Sequence, residues 1–444
     1  MGRIGFAVGV AAALIAWAGA AFAQPVLLIS VDGLQPADVL EAEARGLKLP
    51  TLTQLVREGM AAEGVTGVLP SVTYPSHTTL ITGVAPARHG VHANVTFDPL
   101  QRNEGGWFWY EEQIGVDTLW DAVRAKGEAT ASVSWPVTVG ARSISYNVPE
   151  FWRARTPDDL FLLRAVSTPG LADELERTAG VSLADLSDPD GLKADAARAA
   201  IAKALLAKAP EFTTLHLIEL DHQQHVHGPG SPEAHKALEA IDAMIGAVIE
   251  AGRRTQPDLV VAVASDHGFE KVTRQINLPA AFVQAGLITL DDKGKPKDWR
   301  ATVWGSGGSA QIILRDPEDG VVRAKVKALL TQLAADPDSG VERVADAATI
   351  ARLGGNPQAA FWVNAKPGYT MGAAFSGPLV SDTATRGMHG YFPDAPAMRA
   401  AFVVQGAGVP KGRRLGVIDM RDIAPTLAKL LKVRLHTAQG RPLL

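Results

Sequence analysis

A threonine set between a valine and a tyrosine, in the run PSVTYPSHTTLITG from Pro70 to Gly83, is the first residue of this sequence placed where it could do chemistry. An apolar lead, a hydroxyl residue ahead of Tyr74-Pro75 and a run suited to begin a helix put Thr73 at or near a helix N-terminus, a position that favours anions. The plain alternative is that Thr73, Ser76 or Thr78 caps that helix. Asp221 and His225 are spaced so that both side chains reach one ion if the segment takes a helical or tight turn. Asp266-His267-Gly268 offers adjacent donors on a loop, or else a turn closed by the Asp side chain with Gly268 at positive φ. His389 lies in Gly387-Met388-His389-Gly390-Tyr391, whose small residues permit close approach of a ligand. Together with Asp32, these residues make two sets of oxygen and nitrogen donors, each leaving a position open, as a catalytic divalent ion requires.

Donors so far apart in sequence need a scaffold that gathers them. Val26–Val31 is a continuous apolar and β-branched run, as expected of a strand buried on both faces of a parallel sheet, and it ends at Asp32-Gly33. Leu215–Leu220, Leu259–Ala264 and Ala401–Val404 have the same texture, and helical patterns at Ala194–Ala209 and Glu233–Gly252 lie between. The alternation predicts an α/β sandwich with a parallel sheet. Ligand sites in open α/β sheets lie beyond the carboxyl ends of the strands, which is where Asp32, Asp221 and Asp266-His267 fall. Between about residues 277 and 386 the texture changes. A Gly305–Gly308 turn, a strand-like Ala310–Leu314 and a helical Val321–Ala334 predict an inserted subdomain, and Asp419–Leu431 reads as a closing helix.

The 444 residues carry a net charge of −4, so no surface built to neutralise a nucleic-acid duplex is expected. Met1-Gly2-Arg3, the apolar stretch Ile4–Ala23 and the small-x-small ending Ala21-Phe22-Ala23 predict a signal peptide over residues 1–23. An uncleaved anchor is the rival reading. The mature chain, residues 24–444, is then expected to be exported, periplasmic or secreted, without a further membrane span. There is no cysteine, which excludes disulfides, thiolate ligands and a cysteine-derived sulfatase nucleophile.

These motifs, with His89-Gly90 and Asn94 downstream of the threonine and Gly228-Pro229 after His225, resemble the nucleotide pyrophosphatase/phosphodiesterase branch of the alkaline phosphatase superfamily, in order from Val26 to about Leu431. The resemblance implies a three-layer α/β/α sandwich with a mainly parallel central sheet. It implies two divalent ions, zinc in the family, one held by Asp32, Thr73, Asp266 and His267 and the other by Asp221, His225 and His389. Thr73 is then the nucleophile of a phosphoester hydrolase that passes through a phosphothreonine, and Asn94 donates its amide to a nonbridging oxygen. Tyr74 and His216 fall where the family stacks a nucleobase, His216 standing in place of a tyrosine. His222 and His227 are left as extra ligands, substrate contacts or surface residues, and the aromatic run Trp107–Tyr110 as a pocket wall or ordinary packing. The expected substrate is a small phosphodiester, a nucleotide or a related diester. A phosphomonoesterase is the alternative and would need Arg or Lys beside the ions, with Arg88, Arg153 and Arg386 available. A non-catalytic exported metal-binding protein is the more distant one.

Overall fold

The computed structural model describes residues 23–103, 106–151 and 158–444. The expected leader, but for Ala23, lies outside the described residues, as does Arg153. An eight-stranded sheet forms the centre, in the spatial order Arg413–Asp419, Met60–Thr66, Phe402–Gln405, Val260–Ala264, Val26–Val31, Phe212–Leu217, Thr130–Val133, Tyr146–Val148. Only Phe402–Gln405 runs against the others; Val26–Val31 pairs in parallel with Phe212–Leu217 on one side and Val260–Ala264 on the other.

Every residue of Val26–Val31 is buried, because the strand is covered on both faces. Leu27, Ile29 and Val31 point into one core with Ile201, Leu205, Ile241 and Ile245, from the helices Gly191–Leu206 and Pro232–Thr255. Val26 and Leu28 point into a second core with Leu80, Ile81, Trp120 and Leu427, from the helices Thr73–Thr82, Leu119–Ala125 and Ile423–Leu431. The result is a three-layer α/β/α sandwich.

The elements differ from the sequence pattern in informative places. The run Leu215–Leu220 is split: the strand is Phe212–Leu217, and Glu219 to His227 is a helix, so Asp221 stands inside a helix rather than at a strand end. Apolar content alone does not separate the end of a buried strand from the start of a buried helix. Thr130–Val133 and the two edge strands Tyr146–Val148 and Arg413–Asp419 are short or mixed in polarity and carry no comparable apolar run. From Glu270 to Met388 the chain builds separate sheets. Ala301–Ser306, Ser309–Leu314, Ala359–Ala365 and Val341–Asp346 form an antiparallel sheet, and its core includes Val322, Val326 and Leu330 of the helix Gly320–Ala335. Glu270–Ile276 pairs instead with Gly368–Met371, Val380–Asp382 and Gly387–Met388, a ribbon that carries the chain back toward the main sheet just before His389.

Candidate active site

Three elements of the sandwich deliver the nucleophile candidate and the buried donors. Asp32 follows directly on Val26–Val31, and Asp266-His267 follow Val260–Ala264 after one residue, at the carboxyl ends of neighbouring parallel strands. Thr73 is the first residue of the helix Thr73–Thr82, preceded by extended Val72 and closed at the far end by left-handed Gly83 (φ 70°). Thr73 is therefore not the cap of its helix; its hydroxyl begins it, at the positive end of the helix dipole.

The histidines are held by their far nitrogens. His225 Nδ1 lies 2.9 Å from the Gly387 carbonyl, His267 Nδ1 3.2 Å from that of Gly268, and His389 Nδ1 3.3 Å from that of Ser71. With Nδ1–H donating to each carbonyl, every Nε2 lone pair is turned inward, the tautomer a metal-binding histidine needs. Gly268 owes its identity to crowding and not to a positive φ: a Cβ there would sit 2.1 Å from the Ala397 carbonyl oxygen.

The inward atoms converge. Asp221, His225 and His389 each place a donor within 4.8 Å of the others, as do Asp32, Asp221 and His267. His267 Nε2 is 3.3 Å from Asp32 Oδ1 and 3.1 Å from Asp266 Oδ2; Asp221 Oδ1 is 3.7 Å from His389 Nε2. Thr73 and Asn94 line the same cleft as Asp32, Asp221, His225 and His389. Asn94 Oδ1 accepts the Tyr74 N–H at 2.9 Å, which leaves its NH2 group as the free end.

Four of these atoms, Asp32 Oδ1, Asp221 Oδ1, Asp266 Oδ2 and His267 Nε2, are buried without a hydrogen-bond partner. Buried polar atoms are otherwise almost always satisfied, so four orphans aimed at one point fit a cation. The titration behaviour agrees. Burial, then the charges of Asp266 and Asp221, pushes Asp32 well above the usual carboxylate range. Burial opposes ionisation of His267, but the charge of the adjacent Asp266 carboxylate outweighs it and raises the ring to about 9. A proton on Nε2 thus sits among carboxylates where a divalent ion would neutralise more charge.

Tyr74 and His216, expected to stack a base, both line the Thr73 cleft but from deep in its wall. Both are 0% exposed. His216 lies on the strand Phe212–Leu217 with Nδ1 2.8 Å from Glu150 and Nε2 3.0 Å from Asp32, so both ring nitrogens are engaged and the ring braces Asp32. Tyr74 is covered by Trp107, the ring centroids 5.1 Å apart, and half-buried Trp107 is the aromatic face presented at the mouth. Phe108 and Trp109 pack into the core, and Tyr110 is exposed. His222 lines the cleft as well.

Two contributors escaped the sequence reading. Glu150 is buried after the short strand Tyr146–Val148 and holds His216; nothing local marks it. His77 stands one turn after Thr73, its Nδ1 2.8 Å from the Thr73 carbonyl and 3.7 Å from Asp266 Oδ2. Its spacing from Thr73 was the available signal.

Comparison with known proteins agrees with this architecture. Residues 26–392 match the family described as type I phosphodiesterase / nucleotide pyrophosphatase, and the chain belongs to that family. It is 24% identical over 258 residues to ectonucleotide pyrophosphatase/phosphodiesterase family member 1 of Homo sapiens, covering 56% of this chain and 24% of that protein. The chain therefore spans about a quarter of the length of that relative. It is 22% identical over 434 residues to the human bis(5'-adenosyl)-triphosphatase ENPP4, covering 94% of this chain and 80% of the relative. Among solved structures, an inactive threonine-to-alanine form of murine ectonucleotide pyrophosphatase / phosphodiesterase 5, in complex with AMP, superposes with a TM-score of 0.64 at 20% identity, covering 94% of this chain and 97% of that one. These likenesses establish an alkaline phosphatase-like α/β fold with a large, mainly parallel sheet.

Proposed function

We propose that this protein is a metal-dependent phosphodiesterase or nucleotide pyrophosphatase in which Thr73 is the nucleophile. The observation that carries the reading is the convergence of orphaned Asp and His donors beside the first residue of the helix Thr73–Thr82. Asp32, Asp266 and His267, with Thr73, would hold one ion, and Asp221, His225 and His389 the other; zinc suits this nitrogen and oxygen donor set. Two such ions would supply the positive charge that lowers the pKa of the threonine hydroxyl and neutralises the departing oxygen.

The chain's own residues do the rest. Thr73 Oγ1 forms a bond to phosphorus as the bond to the leaving oxygen breaks, giving a phosphothreonine and an alcohol or phosphate product. The Asn94 amide donates to a nonbridging oxygen, and the helix N-terminus favours the same negative charge. Water then cleaves the Oγ1–P bond and regenerates Thr73. His216 and Glu150 keep Asp32 in place throughout.

A diester is favoured over a monoester because no unpaired Arg or Lys faces the donors among the described residues. Arg198, which lines the cleft, is buried and paired with Asp195 at 3.0 Å. Arg386 bonds the Thr383 carbonyl, and Arg88 that of Thr437. That relatives are named for dinucleoside polyphosphate hydrolysis, or solved with AMP in an inactive threonine-to-alanine form, supports both the nucleophile and a nucleotide-like substrate. Export of the mature chain belongs to the same proposal and rests on the apolar leader; among the described residues no helix is long and apolar enough to cross a membrane.

The test is a comparison of bis-p-nitrophenyl phosphate, p-nitrophenyl thymidine monophosphate and p-nitrophenyl phosphate with the zinc-loaded protein. Both diesters should turn over faster than the monoester, and Thr73→Ala should lower kcat by at least roughly 10³-fold. A faster monoester would remove the diester reading, and an active Thr73→Ala protein would remove the mechanism.

A further inference from the structure

Two clefts of unlike character meet at the donor cluster. One, of about 480 Å³, contains Thr73 and Tyr74; the other, of about 570 Å³, opens between the cluster and the second region of the chain. They share Asn94, Trp107, His225 and His389, so a phosphorus atom at the site would look into both. Beyond the shared residues their walls differ. The first sets Glu150, Asp188, Arg198 and Glu219 among apolar Phe151, Leu163, Leu186 and Ile218. The second is lined by Val303, Trp304, Met371, Phe375 and Met388, and no Asp, Glu, Lys or Arg is among the described residues that face it.

In-line displacement decides which substituent goes where. The group that stays on phosphorus remains beside Thr73, whereas the departing oxygen leaves on the side away from it. Thr73 and Asp221 line only the first cleft, Val72 and Met388 line only the second, and His225 and His389 stand on the border of both. The retained substituent therefore occupies the charged cleft. Glu219 is the polar anchor there: it is 7% exposed, and its Oε1 accepts from Gln223 Nε2 at 2.6 Å. The departing group enters the apolar cleft, where two methionines and Phe375 can adapt to its shape.

Resting on the phosphodiesterase reading, we propose that the preferred substrate is an unsymmetrical phosphodiester: a polar, hydroxyl-bearing substituent is retained on Thr73, and the leaving group is an apolar alcohol seated on Met371, Phe375 and Met388. The Thr73 Oγ1–P bond forms as the bond to the leaving oxygen breaks, and that oxygen takes a proton from solvent water as the apolar alcohol departs through this cleft.

Glycerol phosphodiesters of 4-methyl-, 4-ethyl-, 4-propyl- and 4-butylphenol test the assignment, since the added methylenes lengthen the leaving group with little change in its acidity. Zinc-loaded enzyme should gain about 3- to 4-fold in kcat/KM for each methylene, the full effect of burying it. Phe375→Ala and Met371→Asn should each reduce that gain per methylene. A flat series alongside turnover of bis-p-nitrophenyl phosphate overturns the leaving-group assignment and leaves the diesterase reading standing. A gain that persists unchanged in both variants also overturns it, because the chain then lies elsewhere. Failure to hydrolyse any diester, bis-p-nitrophenyl phosphate included, removes the diesterase reading and this inference with it.

Discussion

The two halves of the donor cluster are built differently. Asp32, Asp266 and His267 sit on loops at the ends of adjacent parallel strands, with side chains 4%, 0% and 0% exposed. Asp221, His225 and His389 come from the helix Glu219–His227 and from the ribbon returning to the sheet, with side chains 16%, 27% and 8% exposed. The first set is fixed by the sheet, the least deformable part of the sandwich. The second depends on the helix and the ribbon meeting, through the bond between His225 Nδ1 and the Gly387 carbonyl and the approach of Gly387, where a Cβ would be 2.4 Å from the Gln224 carbonyl oxygen. On the proposed mechanism a nucleophile needs an invariant setting, whereas a leaving group and a water must enter and depart, and the division of burial and openness between the two halves suits those tasks.

The largest expected effect separates the halves directly. Asp266→Asn and His225→Ala should each lower kcat/KM by more than roughly 100-fold, beyond what loss of an outer partner costs. Their metal retention should differ. Dialysis against increasing chelator, followed by metal analysis, should remove one ion from the wild type before the other, the more exposed set emptying first. His225→Ala should keep the tightly held ion, and Asp266→Asn should lose it. Release of both ions in a single step would mean that the two halves act as one site, and the contrast in burial would have no functional meaning.

A smaller effect probes what fixes the buried half. Although burial alone would keep it neutral, His216 is raised to about 10 by the charge of Glu150 and its bonds to Asp32 and Glu150. It is therefore an imidazolium that braces Asp32 Oδ2 while Oδ1 faces the ion site. Glu150→Gln and His216→Phe should weaken zinc binding by roughly 10- to 100-fold in a competition titration with a chromophoric chelator. His216→Phe should also lower stability by roughly 3–5 kcal/mol, since it strands Glu150 and Asp32 as buried charges. Unchanged zinc affinity in both variants would show that the sheet alone orients Asp32.

How much of this was legible in the sequence follows from the same division. Val26–Val31 and Val260–Ala264 are buried on both faces, so their apolar runs announced both the strands and the position of Asp32 and Asp266 at their ends. The open half was harder. The Asp221 and His225 spacing was readable, but the strand preceding it was placed too late, because Leu215–Leu220 is apolar across a strand-to-helix boundary. Braces were not legible at all: the pairing of Glu150 with His216 joins residues 66 positions apart, and only the fold brings them together. The same brace gives a residue at a stacking position in the family pattern a second task here, holding Asp32.

The smallest effect separates acid lability of the ion sites from that of the scaffold. His89, part of the sequence pattern that marked the family, is fully buried outside the donor cluster. Its Nδ1 accepts the Val91 N–H at 3.1 Å, and its Nε2–H donates to Thr79 Oγ1 at 3.2 Å, since that hydroxyl spends its own proton on the Val84 carbonyl. Burial, then the charge of His92, lowers His89 to about 3. A folded-state pKa below the unfolded value of about 6.5 means that the unfolded chain binds more protons between these limits. The stability held by neutral His89 is complete above about pH 6.5 and declines toward pH 3, with a slope approaching roughly 1.4 kcal/mol per pH unit. Urea unfolding of chelated protein at about pH 7 and pH 5 should show a stability difference roughly 2 kcal/mol smaller in His89→Gln than in wild type. Equal differences would place the acid sensitivity in other groups, with the donor cluster the first to examine, and would tie scaffold and site together where the structure keeps them apart.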